Sequence, residues 1–196
     1  TVGLDHFEVI VVDDGGTDRT QPLVLELLDS FQKPMNFKYV FFQRHRKRTM
    51  GDSQYRAGIS RNVGVKNSQG EILCFLDSDI ITPANYLAKV GEALSRYDAV
   101  QARWVNLSQT ASSLDFDYDN VIPEKDCIAD EPYWEEFIAN TEPWSLRPYS
   151  WKYVCTHSFS LRKDLFWEVG GLKKNYIFYG FEDTDLGYRL VKGGYK

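Results

Sequence analysis

Apolar positions in the first half of the chain come in short runs separated by polar, turn-forming residues. Residues 8–12 form a β-branched apolar run that ends on Asp13-Asp14-Gly15-Gly16, the pattern of a short buried strand stopped by a turn. Past the turn the period lengthens. Leu23, Leu27 and Phe31 fall on one helical face with Val24 and Leu28 beside them, and Thr17 or Asp18 is placed to cap that helix. Residues 37–43 read as a second strand, 44–56 as a polar, basic loop, and 58–67 as a helix weakened by Gly64. Residues 71–76 read as a third strand that ends at Asp77. Thr82 as N-cap and Pro83 at the first helical position open a helix that runs to residue 97, and 99–105 follow as a strand.

The second half is less regular. Between residues 107 and 149 the periodicity breaks down among Asp, Glu, Pro, Trp and Tyr, with room for short helices at 133–138. A strand is expected over 151–161, and a short helix over 163–169 ended by Gly170-Gly171. A helix over 182–191 has Leu186 and Leu190 on one face, acids in its first turn and Gly193-Gly194 after it. Repeated strand–helix alternation predicts the α/β class with a largely parallel sheet. No repeat, low-complexity tract or linker divides residues 1–196, so we read one domain with two lobes, 1–80 and 81–196.

Composition narrows the classes. A chain of 196 residues is long enough for one real core. The net charge of −5 argues against a general nucleic-acid binder. Aromatic residues make up 15% of the chain, enough to serve either a core or stacking on sugar rings. Trp104 and Trp167 are expected in the core. Trp134, Trp144 and Trp151 flank the irregular segment, where core packing competes with sugar stacking. Cys74, Cys127 and Cys155 form no close-spaced framework, which favours a reducing compartment. No apolar run approaches the ~20 residues that span a bilayer, and no signal peptide opens the sequence. These features predict a cytoplasmic location, with any membrane contact peripheral.

The chemistry concentrates in three acidic clusters. Asp77 and Asp79 end the third strand and point the same way, because side chains repeat every second residue. Two carboxylates there are costly unless something positive sits on them, and a divalent metal carrying phosphate fits. Solvated loop acids are the plain alternative. Asp13 and Asp14 lie at the carboxyl end of a strand, where ligands bind in parallel sheets. A carboxylate there can accept the imide N–H of uracil or bind a ribose hydroxyl; the plain alternative is a turn acid, the part we give Asp18. Glu182, Asp183 and Asp185 can complement a helix dipole, worth roughly 0.3–1 kcal/mol each, but one acid would suffice for that. A carboxylate that deprotonates a hydroxyl is the sharper reading. Arg44, His45, Arg46, Lys47 and Arg48 form a basic run whose default is a solvated loop and whose alternative is a lid over phosphates. Together the clusters suggest a nucleotide-sugar site with a catalytic base.

Four motifs in order match a known family. Val11-Val12-Asp13-Asp14-Gly15-Gly16-Thr17-Asp18 resembles the V-D-D-G-S-T-D motif of family 2 glycosyltransferases of the GT-A fold, with Gly16 in place of Ser. Ser60-Arg61-Asn62-Val63-Gly64 resembles A-R-N-x-G, Asp77-Ser78-Asp79 resembles D-x-D, and Gly180-Phe181-Glu182-Asp183-Thr184-Asp185-Leu186-Gly187 resembles W/G-x-E-D-x-D-L. The resemblance implies a Rossmann-like, mostly parallel sheet with a more irregular acceptor-binding lobe. It divides the domain into a nucleotide-sugar-binding half (1–80) and an acceptor-binding and catalytic half (81–196).

By this resemblance, Asp13, Asp14, Arg61 and Asp77 bind the nucleotide-sugar donor, with Asp77 on the ribose or a water. Asp79 ligates Mn²⁺ or Mg²⁺, and His157 is a candidate further ligand. Asp183 is the base and Glu182 orients the acceptor or its loop. Asn62 braces a loop, and Tyr176, Phe178, Tyr179 and Phe181 form an acceptor platform. The acceptor is a glycan, lipid-linked or other hydroxyl, the donor most naturally a UDP-sugar, and a base at Asp183 implies inversion.

Relatives of this type open with a further strand that lies centrally in the sheet, and residues 1–7 do not supply it. The chain by itself is therefore expected to expose apolar faces and to be unstable or inactive. Two rivals stand beside the glycosyltransferase reading. One is a phosphohydrolase of the haloacid-dehalogenase type with Asp77 as nucleophile. The other is an inactive nucleotide- or sugar-binding module.

Overall fold

A computed structural model describes residues 2–31, 35–44, 55–102, 104, 149–176 and 180–196. In chain order the elements are β1 (Glu8–Asp13), α1 (Thr20–Ser30), β2 (Asn36–Phe41), α2 (Ala57–Asn67), β3 (Ile72–Leu76), α3 (Tyr86–Leu94), β4 (Ala99–Gln101), β5 (Ser158–Arg162), α4 (Lys163–Glu168) and α5 (Glu182–Lys192). Single 3₁₀ turns lie at Leu4–His6 and Ser150–Tyr153.

The α/β class holds. β1 and β2 pair in parallel, with Val11 opposite Tyr39 and Asp13 opposite Phe41. β5 lies between β3 and β4 and runs against both, so β3 and β4 point the same way. This order places Leu76, the last residue of β3, opposite Ser158, the first of β5. The Asp77 loop and the segment before β5 are thereby neighbours, and the Asp77 N–H donates to the His157 carbonyl at 3.2 Å.

Among the described residues the two sheets share no strand pair. Ile72 and Leu76 of β3 stay 44% and 42% exposed. Glu8 ties the two parts instead. It accepts the N–H groups of Gln69 and of Gly70 (2.9 Å) and the Lys38 ammonium (3.0 Å). Burial opposes ionisation of this carboxyl, but the two N–H groups and Lys38 outweigh it and hold its pKa down.

The core lies where β3, β4 and β5 meet α4 and α5. Phe159, Leu161, Phe166 and Leu186 are fully buried, and the Phe75 and Phe166 rings meet at 5.5 Å. In α2, Gly64 is the residue that lets the helix close on β1, since a Cβ there would stand 3.3 Å from Val12.

Several boundaries differ from the sequence expectation. Leu23, Leu27 and Phe31, expected to line the inner face of α1, are 53%, 59% and 52% exposed. The half-buried line is Val24 and Leu28, one i,i+4 pair, and α1 has no fully buried residue. A two-stranded sheet offers this helix only a narrow surface to cover. The cap expected from Thr17 or Asp18 falls instead on Arg19, which makes no side-chain cap bond, and Asp18 one residue earlier closes a turn by accepting the Thr20 N–H at 3.0 Å. The helix expected from Thr82-Pro83 begins only at Tyr86, because the Pro83 carbonyl first closes a turn onto the Tyr86 N–H (2.9 Å). Trp167, expected in the core, is 38% exposed and only rests edge-on against Phe166.

The strand expected over 151–161 is confined to Ser158–Arg162. Upstream, the chain enters the Ser150–Tyr153 turn through Tyr149 in the left-handed region (φ 64°) and packs against α5. Gly187 makes that contact possible. A Cβ on it would lie 2.5 Å from the Trp151 carbonyl oxygen and 2.5 Å from a Val154 methyl. A backbone carbonyl cannot yield as a flexible side chain can. Gly187→Ala is therefore expected to destabilise the fold by about 1–3 kcal/mol, despite alanine's better helix propensity. Urea unfolding checks this, and an unchanged midpoint would refute the contact. Among the described residues no helix is long and apolar enough to cross a membrane.

Candidate active site

The ends of β1, β3 and β5 and the starts of α2 and α5 bring the polar groups together. At the end of β3, the Asp77 side chain is 42% exposed and its Oδ1 accepts Arg61 Nη2 at 2.6 Å. Asp79 is exposed. Across from them, His157 Nδ1 meets Ser158 Oγ at 2.7 Å and its ring stands edge-on to Trp104 at 5.2 Å. The buried Nε2 has no hydrogen-bond partner among the described residues. Burial lowers the His157 pKa against the opposing pull of the Asp77, Asp183 and Asp79 charges. The imidazole is thus neutral near pH 7, with a ring nitrogen left over.

Arg61 reaches the start of α5 as well, its Nη1 lying 3.6 Å from Glu182 Oε1. Glu182 is only 2% exposed, so near Gly58 that a Cβ there would stand 3.3 Å from its Cγ, and hydrogen-bonded to Tyr55. Burial first, then the Asp183 charge, push its pKa up, while Arg61 and Tyr55 pull the other way. An acid whose folded pKa is raised contributes stability that is full below the unfolded value, here 4.5, and is lost as pH rises through the folded value. Glu182→Gln has no such loss. Its melting temperature relative to wild type is expected to climb between pH 4 and pH 7; a flat or falling difference would contradict the burial argument.

Asp183 is held differently. Its Oδ1 accepts the Thr156 hydroxyl at 2.7 Å and its Oδ2 the Thr156 N–H at 3.0 Å. Just before it, Gly180 (φ 89°) and Phe181 (φ 72°) both adopt left-handed backbone, and the Phe181 side chain is left 71% exposed. A non-glycine residue in that region marks a functional site more often than chance. Asp185 faces away. It grips Arg189 at 2.7 Å, and Arg189 donates to the Val169 and Gly171 carbonyls behind α4. Cys155 lies next to these groups, but burial and the Asp183 charge push its thiol up to about 11, which makes it a poor nucleophile.

The end of β1 forms a second group. Asp13 accepts the Gly16 N–H at 2.6 Å and the Tyr39 hydroxyl, which burial and Asp13 push up to about 12. Asp14 pairs with Arg44 and with Arg56, whose Nε is 3.1 Å away and whose guanidinium lies 4.4 Å over Phe42. Gly15 (φ +74°) permits the turn, since a Cβ would meet the Arg44 backbone N at 2.9 Å.

Asp77, Arg61, His157, Glu182 and Asp183 thus converge. Asp13 and Asp14 form their own cluster, joined to the first by consecutive residues: Arg56 reaches Asp14 while Tyr55 reaches Glu182. Asn62 braces the loop after α4, donating to the Leu172 carbonyl (2.6 Å) and accepting its N–H (3.1 Å). Among the described residues no three His, Cys, Asp or Glu side chains gather as a complete metal site. His45, Arg46, Lys47, Arg48, Phe178, Tyr179, Trp134 and Trp144 lie outside the described residues, as do residues 107–148 of the irregular segment.

Thr156, Tyr39, Tyr55 and Arg56 were not singled out from the sequence. Arg56 carried a weak signal as the last cation of a basic loop. The Thr156 contact carried none, because it joins residues 27 positions apart.

Comparison with known proteins shows the family. The sequence profile described as "Glycosyl transferase family 2" matches residues 3–170. Validoxylamine A glucosyltransferase of Streptomyces hygroscopicus subsp. jinggangensis is 29% identical over 206 aligned residues, covering 99% of this chain and 46% of that protein. Chondroitin synthase of Escherichia coli is 25% identical, over 96% of this chain and 28% of that protein. The crystal structure of S. aureus TarS 1-349 superposes with a TM-score of 0.60 at 17% identity, covering 96% of this chain and 47% of that one, which is a likeness of fold. The chain spans less than half the length of each of these relatives.

Proposed function

The chain belongs to glycosyl transferase family 2, and from that premise we propose that it transfers a sugar from a UDP-sugar to an acceptor hydroxyl, with inversion at the anomeric carbon. The observation that carries this reading is the convergence of Asp77, at the end of β3, with Asp183, at the start of α5, through Arg61 and the 155–158 segment. A donor-phosphate site and a candidate base so arranged would lie side by side.

Asp13 and Asp14 would take the uracil and ribose, each exchanging a protein partner for the nucleotide. Arg61, held by Asp77 and Glu182, would face the diphosphate. Buried Glu182 serves by fixing Arg61 and, through Tyr55, the loop before α2; its burial supports this over direct contact with the acceptor. Asp79 and Asp77 supply the hard oxygens that Mn²⁺ or Mg²⁺ prefers, and His157 Nε2 is a buried nitrogen in want of a partner. With so few ligands among the described residues, donor phosphates and water would add to the shell. When bound, the cation would offset charge on the departing diphosphate.

Asp183 would accept the acceptor hydroxyl's proton as that oxygen bonds to the anomeric carbon. The bond from that carbon to the UDP oxygen breaks, and UDP leaves with the electron pair. One displacement with no covalent enzyme intermediate inverts the centre. One of these relatives is named a glucosyltransferase, which makes UDP-glucose the first donor to test. Family membership leaves the phosphohydrolase reading of Asp77 without support, and Asp77 is engaged by Arg61 rather than poised as a nucleophile.

Calorimetric titration of UDP with and without Mn²⁺, followed by UDP release from UDP-glucose, tests the proposal. Metal-dependent binding is expected. A folded protein that binds UDP under neither condition would overturn it.

A further inference from the structure

We propose that Thr156 is the positioning residue for Asp183, fixing the plane of the carboxylate so that one lone pair faces the acceptor hydroxyl. The inference rests on the reading of Asp183 as base.

The geometry is specific. Thr156 is completely buried, so its groups have no water to turn to. Its hydroxyl takes Oδ1 at 2.7 Å and its own N–H takes Oδ2 at 3.0 Å. Two donors from one residue, one on each oxygen, determine the carboxylate's rotation about its Cβ–Cγ bond, which a single contact would leave free. Charge-assisted bonds of this kind are the stronger ones in proteins. They leave each oxygen a second lone pair, which is all a base needs.

Thr156 is itself held from both sides. On one side, the Cys155 N–H donates to Gln101 Oε1 at 2.8 Å, and Gln101 Nε2 reaches Ser158 Oγ at 3.0 Å. On the other, the His157 carbonyl accepts the Asp77 N–H at 3.2 Å. The segment that aims the base is therefore pinned to the same strand end that would hold the donor. Distance between donor and base is set by backbone contacts, which suits a reaction sensitive to sub-ångström placement.

Thr156→Val keeps the shape and removes the hydroxyl; Thr156→Ser keeps the hydroxyl. Both are measured for UDP release from UDP-glucose, alone and combined with Asp183→Ala, with melting temperatures recorded. Thr156→Val is expected to lower kcat about tenfold to a hundredfold with little change in donor KM, and Thr156→Ser to restore most of it. In the Asp183→Ala background Thr156→Val is expected to cost nothing further, because its effect runs through Asp183. An additive loss there, or equal losses in the Val and Ser variants, overturns the proposal while Asp183 stays the base. Wild-type turnover by Asp183→Ala, or no UDP release by the wild type, overturns the base reading and this inference with it.

Discussion

Asp183→Asn is expected to lower turnover by about 10²–10⁴-fold while leaving the affinity for UDP unchanged. The substitution keeps the side chain's size and removes its basicity. Asn can still accept the Thr156 hydroxyl through its carbonyl oxygen, but its amide then faces the Thr156 N–H, donor against donor. Some stability is therefore lost too, about 1–3 kcal/mol for a buried donor left unpaired. Rates are accordingly compared well below the variant's melting temperature. Near-wild-type turnover by folded Asp183→Asn would remove Asp183 from the chemistry. The neighbouring acids give the contrast: Asp185 is committed to Arg189, and Glu182 is buried against Arg61.

Asp79→Ala is expected to abolish the enhancement of UDP binding by Mn²⁺, leaving the weaker metal-free binding as it was. Among the described residues no hydrogen bond or ion pair engages the exposed Asp79 side chain, so its loss leaves nothing unpaired and stability stays within the ±0.5 kcal/mol usual for such sites. This makes it a cleaner probe than Asp77, whose removal would also release Arg61. A hard cation loses much of its hold when a first carboxylate goes, and at least a tenfold drop in metal-dependent affinity follows from the shortage of other ligands among the described residues. Equal Mn²⁺ enhancement in variant and wild type would move the metal site away from the Asp77–Asp79 loop. His157 is neutral near pH 7 because burial lowers its pKa, so on the proposed reading its protonation would weaken metal binding only in acid.

Much of the architecture was legible because its elements carry local signals. The β-branched run of β1 stops at two acids and two glycines, and α5 has acids in its first turn, leucines on one face and glycines after it. β1, β3, α4 and α5 all lie within a few residues of the periodicity. The periodicity misplaced the inner face of α1. Leu23, Leu27 and Phe31 satisfy a helical stripe as well as Val24 and Leu28 do, and only the sheet beneath decides which stripe is covered. It also merged the Ser150–Tyr153 turn with β5, because Trp, Tyr and Val read as strand whether or not the backbone bends to meet Gly187.

The candidate site divides the same way. The residue types and their order, Asp13-Asp14, Arg61, Asp77 with Asp79, and Glu182-Asp183, are written in the sequence because each belongs to a recognisable local pattern, the acids after a strand or at a helix start and Arg61 within α2. Their partnerships are not. That Arg61 joins Asp77 to Glu182, that Glu182 is buried while Asp183 is held through Thr156, and that His157 keeps a nitrogen unpaired among the described residues depend on β5 lying against β3 and on Gly187 letting α5 close on residues 150–154. The sequence by itself determined the class of fold and the chemical groups on offer, since periodicity and turn chemistry act over a few residues. Only the tertiary structure decided which groups meet, because contacts across 16 to 110 positions are set by packing that no local pattern records.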